Sequence, residues 1–64
     1  MQTNDLSTLN IDAVIRAHDG SVWQKWGRDT WKPIGLDNPV REHEGIIPLP
    51  ATVLDNPTND QYDW

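Results

Sequence analysis

VWQKWGRDTWK, residues 22–32, sets Trp23, Trp26 and Trp31 among Lys25, Arg28 and Lys32. Indole rings beside cations can do one kind of chemistry well: they stack. Flat rings grip unpaired bases at about 1–3 kcal/mol each, and the cations attract phosphate. The same rings can anchor a protein interface, where Trp and Tyr are frequent hot spots. They can also simply be core. A domain of this size buries only about 60% of its unfolded surface, and each indole can bury about 150–250 Å². With four tryptophans and no cysteine in 64 residues, the rings must replace disulfide staples.

Other chemistry has less to work with. There is no thiol nucleophile and no Cys-based zinc site. Ser7 and Ser21 lack any nucleophile motif around them. Glu42-His43-Glu44 offers hard ligands, but neighbours on a strand point apart and no second cluster completes a metal site. The expectation is a non-enzyme with no cofactor and no metal.

The charge balance narrows the partners. Ten Asp and Glu oppose five Lys and Arg, a net charge of −5. Residues 16–32 carry +2, and residues 42–64 carry −5 with no Lys or Arg. An acidic whole opposes general nucleic-acid binding, which rests on phosphate attraction. Near the other end, Asp55, Asp60 and Asp63 surround Tyr62 and Trp64, an acidic-aromatic segment suited to docking on a basic partner surface. No run approaches the ~20 apolar residues of a membrane span. MQTNDLSTLN lacks the basic and apolar parts of a secretory leader. A cytoplasmic protein with a protein partner and no membrane contact is expected.

The elements that position the rings follow from turn chemistry. Asp19-Gly20 separates IDAVIRAH from SVWQKW, and a two-residue Asp-Gly loop suits a type I′ hairpin. That register sets Ile15 opposite Gln24 and Val14 opposite Lys25. Ala13, Ile15, Ala17, Val22 and Trp26 then share a buried face, with Gln24 as its one polar member. A second turn at GRDT leads to a strand near TWKPI, ended by Pro33. A four-residue loop there pairs Trp26 with Trp31; a three-residue loop sets Trp31 opposite Lys25, beside Trp23. The four-residue loop is the expectation. A helix through STLNIDAVIRAH is the lesser option against β-branched Ile11, Val14 and Ile15.

The stretch DGSVWQKWGRDTW resembles a pattern in small actinobacterial and actinophage proteins: Asp-Gly-x-Val-Trp, then a Gly turn and a second Trp. Asp19, Gly20, Val22, Trp23, Gly27 and Trp31 carry the match, over 13 of 64 residues. The resemblance implies a β-hairpin and a phage origin, and it transfers no site. Thr30-Trp31-Lys32-Pro33 is also similar to part of the WW module, whose early tryptophan and tyrosine pair are missing here.

The expected fold is mainly β: a small three-stranded antiparallel meander with an extended proline-containing C-terminal arm. Residues 1–10 form a flexible lead-in, with Leu6 and Leu9 able to pack back, and 11–35 form the meander. Residues 36–56 are a covering arm with short strands near Val40–Glu44 and Ala51–Leu54, and 57–64 are the acidic-aromatic tail. Leu-Asp-Asn-Pro occurs at 36–39 and 54–57, which is turn chemistry rather than a repeat. Strand one presents an edge through which two copies could pair.

The expected function is a phage-encoded accessory factor that docks on a host protein and occludes or modulates it. Its anchors are Trp23, Trp31, Lys25, Arg28, Tyr62, Asp63 and Trp64. Two rivals stand beside it. One is a minor virion component whose IIPLPATVL arm bridges neighbouring subunits. The other is a single-stranded nucleic-acid binder using the Trp, Lys and Arg strands.

Overall fold

The computed structural model describes residues 1–57. They form one antiparallel sheet of six strands: β1 (Gln2–Thr3), β2 (Val14–Arg16), β3 (Val22–Gly27), β4 (Thr30–Pro33), β5 (Val40–Arg41) and β6 (Ala51–Asp55). Their spatial order is β1-β6-β2-β3-β4-β5. Two short 3-10 helices, Leu6–Thr8 and Glu42–Glu44, complete the regular structure.

The meander is present as β2-β3-β4, but it is the centre of a larger sheet. The arm covers the inner face only in part, through Ile47. Its Ala51–Asp55 segment pairs with β2 on one side and with β1 on the other. Strand one of the meander is therefore interior, and the route to a dimer through its edge is closed. The sheet's actual edges, β1 and β5, have two residues each. Only Val40–Arg41 of the expected 40–44 strand is extended; Glu42–Glu44 coils into a helical turn. The lead-in contributes β1 and buries Leu6 and Leu9. Pro33 ends β4, as a residue without an N–H must.

The β2–β3 turn has three residues, not two. Ile15 faces Trp23 and Val14 faces Gln24, one position away from the register expected of a two-residue loop. Gly20 alone in this turn takes a positive φ, +92°, and its N–H donates to the Ala17 carbonyl at 2.9 Å. Asp19 keeps negative φ and uses its side chain instead. Its carboxylate accepts the Ser21 N–H at 3.0 Å and the Ser21 hydroxyl at 2.6 Å. Such an odd loop, with glycine in the left-handed position, is the second common hairpin solution after type I′. A slip of one residue turns a whole strand over, so Trp23 and Lys25 point inward while Val22, Gln24 and Trp26 point outward.

The β3–β4 ladder carries the inversion onward. Lys25 faces Trp31 and Trp23 faces Pro33, while Gly27 faces Thr30, so Trp26 is an extra, bulged residue. Trp31 therefore lies beside Trp23 and not opposite Trp26. The core holds Trp23, Trp31, Ile15, Ala13, Ala17 and Ala51 from the sheet, closed by Leu6, Leu9 and Ile47. Trp31 is wholly buried, and Trp26 is 55% exposed.

This asymmetry is measurable by chemical denaturation. Trp31→Ala should cost about 3–5 kcal/mol, much of the ~3–10 kcal/mol a domain of this length commands. Trp26→Ala should cost about 1 kcal/mol or less. Equal losses would refute the facing.

Candidate functional site: an open sheet face around Trp26

Antiparallel pairing arranges the outward side chains in rows. Thr52, Arg16 and Val22 form one row, and the hydrogen bond from Ile34 N–H to the Val22 carbonyl extends it to Ile34. Asp55, Val14, Gln24 and Lys32 form the next. Trp26, Thr30 and Arg41 stand beyond them. The core elements pack on the opposite side, and among the described residues no element covers this one. The Lys32 ammonium lies 5.0 Å from the centre of the Trp26 ring, within cation–π range. It also stands 4.0 Å from the carboxylate of exposed Asp37. The bulge turns Trp26 out of the ladder, and Lys32 holds the ring in place from the neighbouring strand.

The residues expected to be anchors divide sharply. Trp23 is buried, and its indole N–H donates to Ser21 Oγ at 2.8 Å. Trp31 is buried, and its indole N–H donates to Glu42 Oε1 at 2.8 Å. Lys25 is 3% exposed. None of these three presents a surface to a partner. Arg28 is exposed on the β3–β4 turn, at the rim of a 380 Å³ depression shared with Asn10 and Ile11. Tyr62, Asp63 and Trp64 lie outside the described residues. Trp26, Arg16 and Lys32 are not among the expected anchors; the even-loop register puts Trp26 in the core.

Lys25 serves the fold. Its ammonium donates to the carbonyls of Leu9 at 3.0 Å and Leu6 at 3.3 Å and pairs with Glu42 Oε1 at 3.3 Å. It also stands 5.7 Å from the centre of the Trp31 ring. Two carbonyl acceptors and a carboxylate partner thus surround the ammonium, the condition for tolerating a buried charge. One side chain ties the first 3-10 helix, β3 and the second 3-10 helix together.

Each member of Glu42-His43-Glu44 has a partner within the fold. Glu42 turns inward to Lys25 and Trp31. The imidazole of His43 donates through Nδ1 to Asp29, and its backbone N–H donates to the same carboxylate at 3.0 Å. Glu44 accepts the Arg41 N–H at 3.2 Å. No group of three potential metal ligands gathers among the described residues. A 210 Å³ cleft between the two 3-10 helices is rimmed by Asp5, Ser7, Glu42 and His43. Asp5 is bonded to Ser7, and Glu42 and His43 are bonded as above. No helix among the described residues is long and apolar enough to cross a membrane.

Two measurements test these cross-ties. Lys25→Met should destabilise the fold by about 3–5 kcal/mol, because Glu42 and two carbonyls lose their partner. Adding Glu42→Gln should cost much less than it does alone, since the two act as one unit; additive losses would deny the coupling. The second measurement concerns pH. Hydrogen bonds from Ser7, Ser21 and His43 hold Asp5, Asp19 and Asp29 below the ordinary aspartate value. The folded state therefore binds these protons more weakly than the unfolded chain does. The stability they contribute is complete above about pH 4 and is lost as pH falls through the lowered values. Asp29→Asn should flatten part of that acid limb of the stability curve. Compared with family models, curated proteins and solved structures, the chain matches nothing.

Proposed function

We propose that this chain is a small non-enzymatic protein-binding accessory factor of phage origin, which docks on a host protein and occludes or modulates it. The observation that carries the reading is the uncovered sheet face with Trp26 standing out of it, 55% exposed and braced by Lys32. Large exposed apolar side chains rimmed by polar groups are common at protein interfaces. A tryptophan on a rigid strand also makes a good anchor, because little side-chain entropy remains to be lost. Ile34, on the same face, is 54% exposed and extends the apolar part. The phage origin rests on the Asp19-Gly20-x-Val22-Trp23 resemblance alone.

The rival readings draw less support. A base-stacking platform needs successive exposed rings, and Trp26 is the one widely exposed indole among the described residues. A virion arm spanning subunits would need Ala51–Leu54 free, and this segment is already paired on both edges.

The test is affinity capture from host cells with the full chain and with Trp26→Ala, each checked for native folding. A specific co-purifying protein should bind the variant about 30-fold more weakly or worse, the loss expected at a hot spot. Undiminished capture by the variant would remove Trp26 from the interface and with it this reading.

A further inference from the structure

The open face has a charge pattern that the whole chain does not share. The chain carries −5, yet this face presents Arg16, Lys32 and Arg41, three of the five Lys and Arg residues. Asp55 lies on it next to Val14, and at its β5 end Glu44 accepts the Arg41 N–H while Asp29 lies near enough to Arg41 to feel its charge. Asp37 reaches Lys32 from the β4–β5 loop, but it is fully exposed at the limit of ion-pair distance. Lys25 is spent in the core, and Arg28 sits on the turn.

The three cations are also placed in order. Arg16 is on β2 in the first row, Lys32 on β4 in the second and Arg41 on β5 in the third. With strands ~4.8 Å apart and same-face neighbours ~6.8 Å apart along a strand, the steps are ~12 Å and then ~8 Å. They form a diagonal of ~20 Å, with Gln24 and Trp26 alongside. A second copy of this chain does not fit it face to face, because like charges would meet.

Resting on the docking reading above, we propose that this face takes an acidic, extended protein segment laid along the Arg16–Lys32–Arg41 diagonal. An extended chain repeats its side chains on one face every ~6.8 Å. Carboxylates at positions i, i+4 and i+6 therefore match the cations, with an apolar residue at i+2 over Val22 and Gln24. Trp26 flanks the segment and covers its backbone from one side. Protein is favoured over nucleic acid because the face offers a single exposed ring, whereas a base-stacking platform needs successive ones.

The experiment is a titration of the isotopically labelled full chain, followed by amide and indole shifts. The probes are blocked Glu-Thr-Val-Thr-Glu-Thr-Glu, its Gln-for-Glu counterpart, and single-stranded oligothymidylate. The expected result is shifts at Arg16, Gln24, Trp26 and Lys32 with the acidic peptide. Binding should be at least about tenfold weaker for the Gln peptide and should fall as salt rises. Arg16→Glu and the milder Lys32→Gln should each weaken it while the buried Trp31 indole signal stays in place. Equal binding of both peptides would overturn the acidic preference and leave the docking reading standing. Tighter binding of oligothymidylate would overturn it in favour of nucleic acid. No shift on this face with either peptide would overturn it outright, while the Trp26→Ala capture decides the docking reading separately.

Discussion

Gly20, at φ +92°, closes a three-residue turn, and the parity of that turn decides which side of β3 is wet. Ile15 then lies opposite Trp23. Trp23 and Lys25 enter the core, and Trp26 leaves it. The cap that favours this turn is local: Asp19 binds both the N–H and the hydroxyl of Ser21, and Ser21 Oγ accepts the Trp23 indole N–H. Asp19, Ser21 and Trp23 thus form one hydrogen-bonded line from the turn into the core. The bulge at Trp26 is the second consequence of the register. It restores the outward ring's neighbour to Gly27 and lets Trp31 fall in beside Trp23.

Without disulfides, the domain is held by a few long-range polar ties laid over a small aromatic core. Lys25 links segments 16 and 19 residues away through backbone carbonyls, and Glu42 joins it to Trp31. Asp29 holds the β3–β4 turn against the second 3-10 helix. Asn10 joins the N-terminal segment to the far end of β6 through Asn56 and Pro57. Each tie constrains a loop that a core of nine buried apolar residues could not order alone. Their acceptors are also satisfied: no buried side-chain polar atom among the described residues lacks a partner. Satisfaction matters more than number, because an orphaned buried charge costs more than a made bond contributes.

Much of the architecture could be read from residue types. β-branched Val14 and Ile15, the Asp-Gly turn and the stop at Pro33 mark the meander and its limits. The core face of β2 also follows from Ala13, Ile15 and Ala17. Two things were not legible. Asp-Gly serves both two-residue and three-residue turns, and the choice between them depends on whether Asp19 spends its side chain on Ser21. Lys25 is the other. Alternation patterns assign lysine to solvent, and nothing local announces that Leu6 and Leu9 will bring their carbonyls to it. Burial of Lys25 in turn hides the exposure of Trp26, since apolar weight alone favours the opposite facing. The pairing of β6 with β2 was obscured by the prolines at 48 and 50, which suggested a strap across the sheet rather than a strand within it.

The functional surface is what remains once the fold has taken its share of aromatic and cationic groups. Two indoles and one ammonium are consumed inside, and the strands leave on the outer face one ring braced by a Lys32 side chain that is 17% exposed, with Arg16 and Arg41 on either side. The division between spent and free groups is most directly measured by hydrogen exchange of the individual indole N–H protons in the folded chain. Trp23 and Trp31 should exchange slowly, with Trp31 the slower, and Trp26 should exchange near the rate of a free indole. A protected Trp26 beside a rapidly exchanging Trp31 would mean the opposite facing of β3, and the open face described here would not exist.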